Sequence, residues 1–201
     1  MQLWTTRGAA KPVKRSVLAS AGAAIALFGS THAQAQQQTL LLRDPALSAS
    51  HIAFIYAGDL WIADRNGANP RQLTSDAADE TNPVFSPDGS MIAFSANHNE
   101  NKDVYVIPVS GGQPKRLTWH PGDDNVLDWT PDGTGVYFAS AREFNRGRSA
   151  QLYRVPVKGG LPEKQMTTRV YRGRFDASGR RFAYNQISPA YDALYGGFFG
   201  W

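Results

Sequence analysis

The stretch VFSPDGSMIAF, Val84 to Phe94, places a Pro-Asp-Gly turn between two apolar runs. Taken alone, Asp88 at its tip is a candidate acid or metal ligand. Local chemistry offers a plainer role. Pro87 presets φ for a turn, Asp88 bonds nearby backbone, and Gly89 takes positive φ without a Cβ clash. That makes Asp88 the pivot of a hairpin. The choice between the two readings turns on whether the pattern recurs.

It does recur. FSPDGSMIAF from Phe85 matches WTPDGTGVYF from Trp129, 44 residues on, and FDASGRRFAY from Phe175, a further 46. Pro131, Asp132 and Gly133 repeat the turn, and Gly179 holds its last place. Each unit also contains a strand with an aromatic centre: DLWIADR, DVYVIPV and QLYRVPV, with Trp61, Tyr105 and Tyr153 in equivalent positions. Each of these runs into a Gly-containing hairpin: NGANPRQLT, SGGQPKRLT and KGGLPEKQMT. Helical periodicity is scarce after Gln38; apolar residues alternate or cluster in short runs bounded by Gly, Pro, Asp and Asn.

Four short strands per 40–50 residues is the period of a β-propeller blade. Each blade is a twisted antiparallel meander that packs both faces on neighbours, which explains runs such as MIAF and VYFA that are apolar on both sides. The expected fold is all-β: a β-propeller of four-stranded antiparallel blades, incomplete, with about three and a half blades. Blade 1 spans about 40–74, blade 2 about 82–118, blade 3 about 126–168, and a fourth begins at about 171–187, within a partial propeller at 36–201. The first unit, LSASHIAF, has Ala49-Ser50 where Asp-Gly stands elsewhere, as suits a terminal repeat. Because a ring needs 4 to 8 blades, the expectation is an N-terminal piece of a longer protein or a truncated gene product.

The first 35 residues form a separate segment. A basic stretch ends at Arg15, the apolar run SVLASAGAAIALFGS follows, and Ala33 and Ala35 have the spacing of a cleavage site. This is a secretory signal peptide, with cleavage expected after Ala35 and a periplasmic or secreted destination; the apolar run is short for a membrane span. The net charge of +4 comes from this leader. Arg7, Lys11, Lys14 and Arg15 lie there without an acidic partner, and the remaining basic residues balance the 17 acidic ones. Nucleic-acid binding and stable membrane insertion gain no support. The chain has no cysteine, so disulfide and thiol chemistry are excluded.

No motif carries catalysis. There is no G-x-S-x-G elbow and no phosphate-cradling loop. His51 starts a strand, His98 lies in NHNENKD and His120 in TWHPGDD, without zinc-site spacing. The acidic runs SDAADET (Asp76, Asp79, Glu80) and GDDN (Asp123, Asp124) read as solvated connectors, since neither has the ligand spacing of a calcium loop. REFNRGR, with Arg142, Arg146 and Arg148, reads as wet surface. The expectation is no catalytic, cofactor-binding or metal-binding residue in this chain and no cofactor.

The repeat VFSPDGSMIAFSAN…DVYVIPVSGGQPKRLT resembles those of TolB-type propellers, found in TolB, in prolyl-oligopeptidase relatives and in tricorn-type proteases. The opening LLLRDPALSASHIAFIYAGDLWIADRNGANPRQLT, from Leu40, is similar to the start of the tricorn-protease family, whose chain begins with the first blade of a six-bladed propeller. The closing FAYNQISPAYDALYGGFFGW resembles that family's fourth-blade region. The resemblance implies a substrate-gating or peptide-docking module in an exported serine-type peptidase. Its partners would be peptides or unfolded proteins, handled through the parent protein. A second propeller, a PDZ domain and the serine-protease core would follow Trp201. Homo-oligomerisation stays open. The alternatives are a TolB-like periplasmic scaffold that binds proteins without catalysis, or the propeller of an exported hydrolase of another chemistry, such as an amidohydrolase.

Overall fold

A computed structural model of the chain describes residues 42–98, 100–143, 150–170, 172–176 and 178–185. The leader 1–35, Arg146, Arg148 and Ile187 lie outside them. The described residues form three four-stranded antiparallel sheets and one two-stranded sheet, with no helix among them. The first sheet runs in order through β1 (Arg43–Leu47), β2 (His51–Tyr56), β3 (Asp59–Asp64) and β4 (Arg71–Gln72). The second holds β5 (Asp79–Phe85), β6 (Met91–Asn97), β7 (Lys102–Pro108) and β8 (Lys115–Arg116). The third holds β9 (Asp124–Trp129), β10 (Gly135–Ser140), β11 (Gln151–Pro156) and β12 (Glu163–Arg169). Strands β13 (Arg172–Phe175) and β14 (Phe182–Asn185) make the fourth sheet. Every strand pairs with its sequence neighbour, so each sheet is a meander: three blades and two strands of a further one.

Alternation along each strand assigns its two faces to two seams. In blade 2, Ile92, Phe94, Ala96, Tyr105 and Ile107 pack against Ala53, Ile55, Leu60 and Ile62 of blade 1. The opposite face, with Ala93, Val104 and Val106, packs against Val126, Val136, Phe138, Tyr153 and Val155 of blade 3. This is why β6 is buried without interruption from Ile92 to Ala96. Polar contacts cross the same seam. Trp129 Nε1 donates to Val84 O at 2.9 Å, and Ser95 Oγ donates to Asp124 O while accepting from Val126 N at 2.8 Å. The third seam is smaller: Leu127, Ala139, Leu152 and Val170, with Phe182 against them.

The Pro-Asp-Gly turns lie side by side. A Cβ at Gly133 would sit 3.9 Å from the Pro87 ring, and one at Gly179 would overlap the Pro131 ring. Each proline therefore lies over the turn glycine of the next blade. Gly89 and Gly179 share nearly the same backbone, φ 71° and 67°. At Gly89 a Cβ would meet only Ser48 Cβ, at an ordinary 3.7 Å. Gly89→Ala should thus cost about 1 kcal/mol, from backbone conformation alone. Gly179→Ala should cost clearly more, because the two turns must also part. Equal losses in urea denaturation would show that the turn contact carries no weight.

The first hairpin differs from the others. Leu47 pairs with Ile52 as Phe85 pairs with Ile92, but the loop between them is shorter. Ser48 N donates to His51 O at 2.9 Å, closing a turn whose centre is Ala49-Ser50. Ser48 Oγ accepts from His51 N at 2.9 Å, doing in this turn what Ser86 and Asp88 do in the next.

Candidate functional site

The first strands of the four sheets, β1, β5, β9 and β13, line a cleft of about 1180 Å³. Bulges shape its walls. An extra residue interrupts the pairing of β1 between Arg43 and Ala46, of β5 between Thr81 and Val84, and of β9 between Val126 and Asp128. A bulge re-aims side chains next to it. In the first two bulges Asp44 and Asn82 stand at φ 50° and 55°, which short polar side chains tolerate best. Both line the cleft, and Asn82 N donates to Asp44 Oδ2 at 3.3 Å across adjacent blades. Lys102, Asp123, Asn125, Arg172 and Arg174 complete a polar lining of both charge signs. Arg174 faces Asp128 at 3.7 Å, and Asp128 Oδ2 accepts from Phe175 N at 2.9 Å.

The turn carboxylates are local acceptors. Asp88 Oδ1 accepts from Ser86 Oγ at 2.5 Å and Ser90 N at 3.0 Å, which holds its pKa down at about 2. Asp132 is held at about 2 by Thr130 Oγ1, at 2.6 Å, and by Thr134. Acids so low cannot supply a proton near neutrality. In the third turn the residues exchange places. Asp176 stands where Ser86 does, accepting from Ser178 Oγ at 2.9 Å and Arg180 N at 3.0 Å. Pro87 and Pro131 are the turn prolines described above. Of the aromatic strand centres, Tyr105 stacks on Phe94 with ring centroids 5.8 Å apart, and Tyr153 on Phe138 at the same distance. Trp61 sits edge-on to Tyr56 at 5.8 Å.

The histidines are not assembled into a triad. His51 Nδ1 lies 2.8 Å from Ser50 Oγ, on its own exposed hairpin. His98 packs its ring 5.1 Å from Tyr105, and His120 Nδ1 accepts from Gly122 N at 2.9 Å. No group of three or more His, Asp or Glu among the described residues could hold a metal ion.

SDAADET and GDDN are not merely solvated connectors: Glu80 is 2% exposed and Asp124 is fully buried. They occupy the same place, 44 residues apart, behind Thr74 and Thr118, which have the same spacing. Thr74 Oγ1 accepts from Leu60 N at 2.9 Å and donates to Glu80 at 2.6 Å. Thr118 Oγ1 accepts from Val104 N and donates to Asp103, both at 3.0 Å. The physical reason for burial is contact with the preceding blade: Glu80 N donates to Gly58 O, in the hairpin between β2 and β3, at 3.0 Å, and Asp124 O accepts from Ser95 Oγ of β6 at 3.1 Å. Arg142 is likewise no wet surface residue. Its guanidinium reaches both Asp124 oxygens, at 3.2 and 3.0 Å, and lies over the rings of Tyr153, at 4.5 Å, and Phe138, at 5.3 Å. Tyr153 Oη donates to Glu143 at 2.8 Å, and burial with that contact pushes the phenol up to about 12. The signal that could have found Glu80 and Asp124 is the repeat spacing that located the turns.

Meanders packed face to face, their first strands around a polar cleft, define a β-propeller module. The chain belongs to the family of tricorn protease N-terminal β-propeller domains, which matches residues 39–197. A Streptomyces coelicolor protein named as a tricorn protease homolog is 37% identical over 69 residues, covering 34% of this chain and 6% of that protein. The crystal structure of the tricorn protease matches with a TM-score of 0.61 at 24% identity, over 68% of this chain and 14% of that one. TolB from Acinetobacter baumannii matches with a TM-score of 0.62 at 27% identity, over 74% of this chain and 38% of that one. The chain thus spans a small part of the relatives it matches.

Proposed function

We propose that this chain is the non-catalytic propeller segment of an exported, tricorn-like serine peptidase, and that its cleft docks peptides or unfolded protein segments for a catalytic domain elsewhere in the longer protein. The observation that carries this reading is the cleft. Its bulged strands present Asp44, Asn82 and Asn125, and β13 adds Arg174, on one concave surface. Both charge signs and amide side chains suit peptide backbones and termini better than a uniformly charged polymer. The likeness to tricorn proteins supports the same direction. The leader supports export, with the mature chain starting at Gln36.

The test uses protein recovered from the periplasm, its N-terminus read by sequencing. Anisotropy of a labelled, unstructured, mixed-sequence peptide should show weak saturable binding, with Kd on the order of 10–100 μM, and no turnover. Asn125→Trp, which fills the cleft, should weaken binding at least tenfold. Absence of binding would sink the docking role and favour a TolB-like scaffold, the reading that the likeness to TolB supports. Turnover abolished by a serine-directed inhibitor would overturn the non-catalytic assignment.

A further inference from the structure

The start of each blade's first strand meets the same problem in three ways. In the third seam the place is filled by Val170, which is 1% exposed. In the second seam it is Asp124, compensated by the Arg142 guanidinium. In the first seam it is Glu80, 2% exposed, with a hydroxyl from Thr74 as its side-chain hydrogen bond. The charged groups acting on Glu80 are Asp59, at the start of β3, and Asp76, in the connector, both negative. The guanidinium of Arg43 on β1 is paired with Asp79 instead.

We propose that the seam between blades 1 and 2 is a pH-responsive joint, closed while Glu80 is protonated and loosened when it ionises. A neutral Glu80 can accept from Thr74 without charge, whereas an ionised one is a buried anion beside two others, with no ion pair to a cation among the described residues. The same seam carries the Asp44–Asn82 bond at the cleft wall, so loosening would alter the cleft as well. Burial raises the Glu80 pKa from 4.5 to about 7, with Thr74 opposing and Asp59 and Asp76 adding. The unfolded chain gives up this proton first as pH rises. The stabilisation is therefore complete below about 4.5 and lost as pH climbs through about 7. The change in the closing equilibrium is on the order of 300-fold.

The experiment is hydrogen exchange of the full chain between pH 5 and 8, corrected for intrinsic rates, alongside thermal midpoints. Peptides from 51–64 and 79–97 should lose protection by up to about two orders of magnitude as pH rises, while 124–140 changes less. Glu80→Gln and Glu80→Val, the latter copying the third seam, should abolish that loss and raise the midpoint at pH 8. A wild-type profile in both variants would overturn the proposal. So would a loss of protection spread equally over the seams.

Discussion

Replacing Arg142 by alanine is expected to destabilise the chain by about 3–5 kcal/mol at neutral pH, because it leaves a buried carboxylate without its cation. Asp124 is fully buried and the Arg142 side chain is 16% exposed, so solvent does little to screen the pair. Burial already raises the Asp124 pKa; Ser140, Arg142 and Thr118 hold it back. Without Arg142 it rises further, and below that range the acid is neutral and the penalty vanishes. The deficit of the variant should therefore shrink as pH falls. Stacking on Tyr153 and Phe138 is lost as well, which is worth about 1 kcal/mol. Adding Asp124→Asn to Arg142→Ala should recover much of the loss, since the orphaned charge disappears. Urea titrations at pH 4 and pH 7 give all these quantities. A deficit below about 0.5 kcal/mol at both pH values would mean that the pair is not buried in solution.

The same pair shows where the sequence was legible and where it was not. The blade order followed from repeat spacing, because turn residues and alternation are local properties that each repeat states afresh. The register of β6 against β7, Phe94 opposite Tyr105, follows from the same alternation. Arg142 and Asp124 were misread for a physical reason. A charged residue between strands is normally solvated, and only contact with another blade reverses that. Asp44 and Asn82 stood in plain view before Pro45 and Pro83, yet their positive φ reflects bulges that pairing across strands creates. The swap at Asp176 and Ser178 was hidden for a different reason: the hydrogen bonds persist while the residues exchange places. The cleft lay further out of reach, since it exists only once first strands from several blades converge.

Phe94→Ala is expected to cost about 3–5 kcal/mol, against about 1–2 kcal/mol for Phe54→Ala, although the two hold the same repeat position. Phe54 faces Trp61 as Phe94 faces Tyr105 and Phe138 faces Tyr153. Pattern alone would rank the three alike. Packing does not. Phe94 is 1% exposed and fills the first seam among Ile55, Leu60 and Ile62, so its removal leaves a cavity walled by two sheets. Phe54 is half-buried, on the face of blade 1 that no described sheet covers, and solvent can occupy the space it leaves. The cavity cost is therefore missing for Phe54, and only part of the transfer cost applies. Urea midpoints of the two variants measure the difference. Equal losses would mean that the blade 1 face is covered in solution to the same depth as the seam. A loss confined to Phe94 would make the blade 1–blade 2 seam the principal source of cohesion at this end of the molecule, the same seam whose closure is assigned to protonated Glu80.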